Sequence, residues 1–394
     1  MTSPGGEPTT EAYQGPPPTR RPEPWQQVPW APPPAWGPPP WGAPPGGPPV
    51  PWGPPPPWGW APPPPPPVRW APPKGTPPHD EPRSFLTVMR MRDWAWWRPL
   101  LGLFLVAVVY GVLLLATGFL GILGLLASGT DPGALPDLLV EDMTDPWVLL
   151  FLNVSLIVAI PCVWLAWAAA HGTRPGWSSS VLGRLRRRLL APYALLALGT
   201  VGVGIALAVL LQLTVGGEEI TGPVPDFGWL LVVVLLTTPL QSAAEEYLFR
   251  GYLSQAVAGW IRAPGGGAVV AAVLSALLFA AAHGAQDPLT FLDRFAFGLT
   301  ASAVVWLTGG LEAAIAVHAV NNVVVFVLAG GLGGGVATEE VPAGTGVAFG
   351  LVSLLSMAAF VAVVARTRGR LRPETRTAAV DLRLPAPPVP VPAR

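Results

Sequence analysis

The chain has 394 residues, 51% of them hydrophobic and 12% charged, with a formal net charge of zero. Soluble proteins carry roughly 25% charged residues, so this composition excludes an ordinary soluble surface, and the zero net charge offers nucleic acid no basic field. The one cysteine, Cys162, excludes an intramolecular disulfide and is read as packing in an apolar run.

The 53 prolines are unevenly placed, with 34 in residues 1–84, 13 in the next 288 residues and 6 after residue 372. Residues 1–84 repeat a loose proline-tryptophan-glycine unit. Proline fixes φ and removes a donor, so this stretch is predicted to be a disordered, extended tail. It would serve as a spacer or as a ligand for partners with aromatic-lined grooves. Met1–Trp25 has no apolar core of a signal peptide, so entry into the membrane falls to the first hydrophobic helix. The domain reading is a cytoplasmic tail over 1–84, a membrane domain over 85–372 and a disordered C-terminal tail over 373–394. Trp94, Trp96 and Trp97 beside Arg90, Arg92 and Arg98 mark an interfacial belt in contact with membrane lipid.

From Leu100 onward, apolar runs recur near the ~20 residues that a bilayer requires. Eight are read, at about 100–128, 147–170, 191–215, 229–258, 266–284, 293–308, 310–331 and 346–365. The fold class is therefore an all-α polytopic membrane protein, with about eight transmembrane helices around a polar intramembrane site. The short sixth run is compatible with a re-entrant segment. Loop charges alternate. Asp131, Asp137, Glu141, Asp142 and Asp145 fall in one loop, and Arg174, Arg184, Arg186, Arg187 and Arg188 in the next. Glu218, Glu219 and Asp226 are followed by Arg262, and Glu339 and Glu340 by Arg366, Arg368, Arg370 and Arg372. The positive-inside rule then gives a multi-pass plasma-membrane protein with both termini cytoplasmic.

Ionisable groups inside membrane spans are costly and usually functional. Few occur here: Glu245, Glu246 and Arg250; His283; and Glu312, His318, Asn321 and Asn322. Glu246 and Arg250 are four apart and can pair on one helix face. Glu245 is turned about 100° from Glu246, toward another neighbour. Thr238, Gln241 and Ser242 lead up to it as a polar stripe, and Pro239 marks a kink. His318 and Asn322 share a face. Glu312, at a helix start, reads as a dipole-stabilised cap, and the Asn153-Val154-Ser155 sequon is void within a span.

Two chemistries suit this set. His283 and His318 with a carboxylate could hold Zn²⁺ with a water position open, a second carboxylate acting as base. Alternatively, glutamate and histidine could activate water without metal while Asn322 stabilises the oxyanion. Either is amide hydrolysis within the membrane, acting on a membrane-associated peptide or protein. The competing readings are a non-catalytic scaffold or immunity-type protein, and a proton-coupled transporter.

Three motifs carry a resemblance: Glu245-Glu246-Tyr247-Leu248-Phe249-Arg250, then Phe279-Ala280-Ala281-Ala282-His283, then His318-Ala319-Val320-Asn321-Asn322. In this order the sequence resembles the CPBP family of CAAX-type, bacteriocin-processing and Abi intramembrane proteases, over roughly residues 190–365. The resemblance implies an eight-helix fold with an internal polar cavity. It implies that Glu245 activates water together with His283, that His318 and Asn322 bind metal or hold the oxyanion, and that Glu246 and Arg250 orient the site. Linear span counting opposes this. At 1.5 Å per residue, Glu245 lies about 24 Å from the outer face and His283 about 25 Å from the inner one. The two would miss by roughly 20 Å unless the fourth helix is long and tilted.

Overall fold

The computed structural model describes residues 78–127, 129, 143–216, 220–284, 286–333 and 343–378. The chain divides into one unit of residues 1–69 and another of residues 70–394, and every described residue lies in the second. The proline-tryptophan repeat up to residue 77, most of the acidic loop residues and the C-terminal residues from 379 lie outside the described residues.

Among the described residues, eight helices are long and apolar enough to cross a membrane. They are α1 (Arg98–Ala127), α2 (Pro146–His171), α3 (Arg187–Val215), α4 (Phe227–Trp260), α5 (Pro264–Ala281), α6 (Pro288–Thr308), α7 (Glu312–Leu332) and α8 (Ala343–Leu371). No strand occurs among the described residues, only two isolated bridges. The sixth run is a complete helix of 21 residues. It begins five residues before its apolar stretch because Asp287 caps it, accepting from the Leu289 and Thr290 amides, with Pro288 at the first helical position. Asp145 and Pro146 start α2 in the same way, so a residue read as a loop charge is also a cap.

Three helices depart from regular geometry. α2 is broken at Val158. α3 contains π-turns at Leu198–Gly202 and Gln212–Gly216, and α4 contains one at Phe249–Leu253. A π-turn inserts one residue and rotates everything beyond it relative to the preceding face. The 34 residues of α4 would extend about 51 Å at 1.5 Å per residue, well beyond the ~30 Å of a hydrocarbon core, so α4 must tilt. Pro239 is accommodated beside Asn153 of α2, whose amide donates to the hydroxyls of Thr237 (2.8 Å) and Thr238 (3.1 Å). Asn153 is thus an interhelical link, buried as the void sequon requires.

α4 packs chiefly on α7 and α2, α6 on α5 and α8, and α7 on α3 as well. The membrane unit extends past the boundaries set by composition at both ends. Ser84 bridges to Arg376, the Thr377 amide donates to the Arg83 carbonyl (2.8 Å), and Phe85, Val88 and Met89 join the core. His79, placed in the tail by composition, is buried, and its ring is 2.6 Å by Nε2 from the Val88 carbonyl.

Candidate active site

Glu245 and Glu246 sit at the end of the regular part of α4, immediately before the π-turn. Glu246 and Arg250 are both fully buried, and Arg250 Nη1 donates to Glu246 Oε1 at 3.0 Å. Arg250 Nη2 donates to the Gly298 carbonyl of α6 at 2.9 Å. Glycine is needed there: a Cβ at residue 298 would come 2.7 Å from Ala276 Cβ of α5 and 3.3 Å from Arg250 Nη2. The guanidinium also lies 4.9 Å from the centre of the Phe279 ring, a cation–π contact.

His318 of α7 meets both carboxylates. Its Nδ1 lies 2.8 Å from Glu246 Oε1 and its Nε2 lies 3.5 Å from Glu245 Oε2. Glu246, which also accepts from Arg250, accepts from Nδ1, and Nε2 is the ring nitrogen that faces Glu245. Phe279 and Phe297 set their rings edge-on to His318, with centroids 5.6 and 5.1 Å away, and so fix its plane.

Glu245 is held at its other oxygen. Gln241 Nε2 donates to Glu245 Oε1 at 2.6 Å, while Gln241 Oε1 accepts from Asn322 Nδ2 at 3.2 Å. Asn322 Nδ2 also lies 3.5 Å from Ser242 Oγ, and Asn321 Nδ2 donates to Asn322 Oδ1 at 3.1 Å. The polar stripe of α4 therefore connects the carboxylate to the amide. Glu245 Oε2 is buried with no hydrogen-bond partner among the described residues, although the side chain as a whole retains 14% exposure.

His283 is placed differently. It lies just beyond α5, where its Nδ1 donates to the Phe279 carbonyl at 2.8 Å. Its ring packs on Phe279 with centroids 4.9 Å apart, on a phenyl that it shares with His318. No hydrogen bond joins it to Glu245 or His318. The tilt of α4 and the fold of α7 bring Glu245, Glu246, Arg250, His318 and Asn322 together. His283 shares the Phe279 ring with His318 and lies within electrostatic reach of Glu245 and His318, while the imidazole 3.5 Å from Glu245 is that of His318.

This arrangement bears on a metal. Glu245 Oε2 and His318 Nε2 could offer two donors. Among the described residues, however, no group of three or more His, Cys, Asp and Glu side chains is gathered to hold a metal ion. His318 and His283 each hold Nδ1 on an acceptor, Glu246 and the Phe279 carbonyl, which is how a ligating imidazole is oriented, and leave Nε2 available.

Sequence reasoning missed a second buried ion cluster. Glu312 accepts from Arg186 Nε at 3.0 Å, from Nη2 at 2.6 Å and from the Arg186 amide at 2.7 Å, with side chains only 0% and 2% exposed. Arg186 Nη1 donates to the Glu374 carbonyl (2.7 Å) and carboxylate (3.3 Å), and Nη2 to the Thr308 carbonyl (3.1 Å). Burial works against this cation, but the bonds and charges of Glu312 and then Glu374 prevail and raise its pKa. Gly309 closes the α6–α7 turn at φ +71°, and a Cβ there would meet the Glu374 carbonyl oxygen at 2.5 Å. A glutamate opening an apolar helix behind Thr-Gly-Gly was the available signal; read locally, it suggested only a cap.

Fold and site thus define a multi-pass membrane protein with a glutamate–histidine centre buried among its helices. Residues 227–324 match the family model described as Type II CAAX prenyl endopeptidase Rce1-like. That segment runs from the start of α4 into α7 and carries all three motifs from Glu245 to Asn322, so the resemblance carried by the motifs holds there. The chain is also similar to the uncharacterized protein YyaK of Bacillus subtilis (strain 168), 27% identical over 198 residues. That match covers 46% of this chain and 61% of the Bacillus protein, less than two thirds of its length. No solved structure matches.

Proposed function

We propose that this chain is an intramembrane endopeptidase whose general base is Glu245. The observation that carries the reading is the 3.5 Å gap between Glu245 Oε2, which has no hydrogen-bond partner, and His318 Nε2. An unpartnered buried carboxylate oxygen is costly. A water placed beside the gap can donate one hydrogen to each atom. The water oxygen then attacks the substrate carbonyl carbon as its proton passes to Glu245. Asn322 Nδ2 donates to the developing oxyanion, exchanging its long contact with Ser242 for a short one. On collapse the C–N bond breaks and Glu245 returns the proton to the leaving amine. Glu246 and Arg250 hold the His318 tautomer, and Gln241 holds Glu245 toward the water. His283 lies beside Phe279, where Nε2 can take part in proton exchange with the leaving group.

In this reading the chain's own Glu245 and His318 activate the water. The substrate class is a membrane-associated peptide or protein, matching a centre reached from within the helices. The membrane is the plasma membrane, with both termini cytoplasmic. In support, Arg188 donates to the carbonyls of Leu371 and Arg372, so the basic loop before α3 and the basic end of α8 share one face. The Ser84–Arg376 bridge brings both ends of the described chain to that side.

The test compares membrane fractions from cells carrying wild type or Glu245→Gln by quantitative proteomics for cleaved termini, followed by cleavage of the identified peptide in nanodiscs. Termini present only with wild type are expected, with a rate that o-phenanthroline leaves unchanged. Equal cleavage by Glu245→Gln would overturn the base assignment. Loss of activity with the chelator, restored by Zn²⁺, would overturn the metal-free route.

A further inference from the structure

Beside the site, a cavity of about 570 Å³ lies between α3, α6, α7 and α8. Its walls are divided. Val209, Val325 and Phe349 make an apolar side, while Asp293, Arg294 and Asn321 line the polar one. Asn321 connects it to the chemistry, since its amide donates to Asn322, Asn322 donates to Gln241, and Gln241 donates to Glu245.

Asp293 stands out within this cavity. It lies in α6, inside the membrane-crossing length, and Ser353 of α8 hydrogen-bonds to its carboxylate. Its Oδ1 is buried and has no hydrogen-bond partner among the described residues. The neighbouring Arg294 donates instead to Gln286, which in turn donates to the Ala280 carbonyl next to the His283 turn. Asp287, the other lining carboxylate, is occupied in capping α6. The charged lining is thus two carboxylates against one guanidinium, and the buried Asp293 Oδ1 is left without a hydrogen-bond partner among the described residues.

We propose that this cavity receives a positively charged side chain of the peptide substrate, and that Asp293 is the specificity-determining residue. The proposal rests on the peptidase reading above and adds the substrate class: an apolar segment with a lysine or arginine close to the cleaved bond. The apolar wall accepts the methylene stem of such a side chain. Asp293 Oδ1 accepts from its head, a charge-assisted bond that is stronger than its neutral counterpart.

The test separates binding from cleavage. Full-length Glu245→Gln protein is placed in zwitterionic phosphatidylcholine nanodiscs. Its affinity is measured for three fluorescent apolar peptides that are identical except for a central Lys, Gln or Glu. The Lys peptide is expected to bind about ten-fold more tightly than the other two, the size of one hydrogen bond to a charged group. Adding Asp293→Asn should remove the preference, Asp293→Glu should keep it, and Asp293→Lys should turn it toward the Glu peptide. Should Asp293→Asn fail to fold, Arg294→Gln provides the alternative, and it should strengthen the preference for Lys several-fold. Equal binding of the three peptides, binding of none, a preference that survives Asp293→Asn, or an unchanged preference in Arg294→Gln would overturn the proposal. Wild-type cleavage rates in Glu245→Gln would instead sink the peptidase reading, whatever the binding preference shows.

Discussion

Two buried glutamate–arginine clusters occupy this molecule, and they are built to opposite rules. In the cluster at the membrane face, Arg186 spends Nε, Nη1 and Nη2 on Glu312, Glu374 and Thr308, and both Glu312 oxygens accept. In the cluster between the helices, Glu245 Oε2, Glu246 Oε2 and Arg250 Nε are buried without hydrogen-bond partners. A saturated network fixes the chain in place: it ties the loop before α3, the α6–α7 turn and the C-terminal segment together. An unsaturated one retains acceptors that a water or substrate can use, at a cost in stability. Equal burial thus accompanies a structural role in one case and the proposed chemistry in the other.

The sharpest way to break the comparison is Glu245→Gln. It keeps the bond to Gln241 but removes the base, so cleavage should fall at least about 10³-fold, within the usual contribution of general acid–base groups. The melting temperature of the purified protein should hold. Next comes Arg186→Met, which strands Glu312. Breaking a buried pair this way costs about 3–5 kcal/mol, so thermal melting in detergent should drop steeply while turnover per folded molecule stays constant. Lost turnover at unchanged stability would erase the distinction between the clusters. Asn322→Ala should lower the rate by about 10²–10³, as loss of one oxyanion donor does elsewhere. An effect confined to stability would return Asn322 to a packing role.

The smallest effect lies at the N-terminal edge. Burial lowers the His79 pKa below 6.5, aided by the charges of Arg83 and Arg92 and opposed by the Val88 bond and Asp80. The folded state therefore binds this proton less readily than the unfolded state. As pH falls through 6.5 toward the lowered value, stability is lost, and the loss is complete once the pH is below it. Amide exchange over residues 85–91 should quicken across that window, and His79→Asn should abolish the dependence. Exchange that is flat with pH in wild type would show that His79 does not clamp this segment.

Much of this arrangement was legible in the residues. Apolar length marked all eight helices, and four-residue spacing marked both Glu246–Arg250 and the shared face of His318 and Asn322. Less was legible wherever a residue had two local meanings. Asp145 counts as a loop charge by composition, but with Pro146 at the first helical position it is a cap. Arg186 counted as a topogenic charge, and Asn153 only as a void sequon. Each has a partner more than 80 residues away in sequence, at Glu312 and at Thr237–Thr238. Spacing within a helix cannot reveal such pairs.

The sequence by itself determined which side chains must leave water, because hydropathy and helical period are properties of a segment and its solvent. It therefore established eight helices and placed three glutamates, an arginine, two histidines and two asparagines inside them or at their ends. Only the tertiary structure decided which imidazole faces which carboxylate. That choice depends on the tilt of a 34-residue α4, on the π-turn after Glu246 and on the close approach of α5 and α6 at Gly298. Each of these changes which side chains meet without changing a hydrophobic pattern. Linear counting accordingly set Glu245 apart from His283, whereas packing puts His318 within 3.5 Å of Glu245 and His283 within electrostatic reach of both.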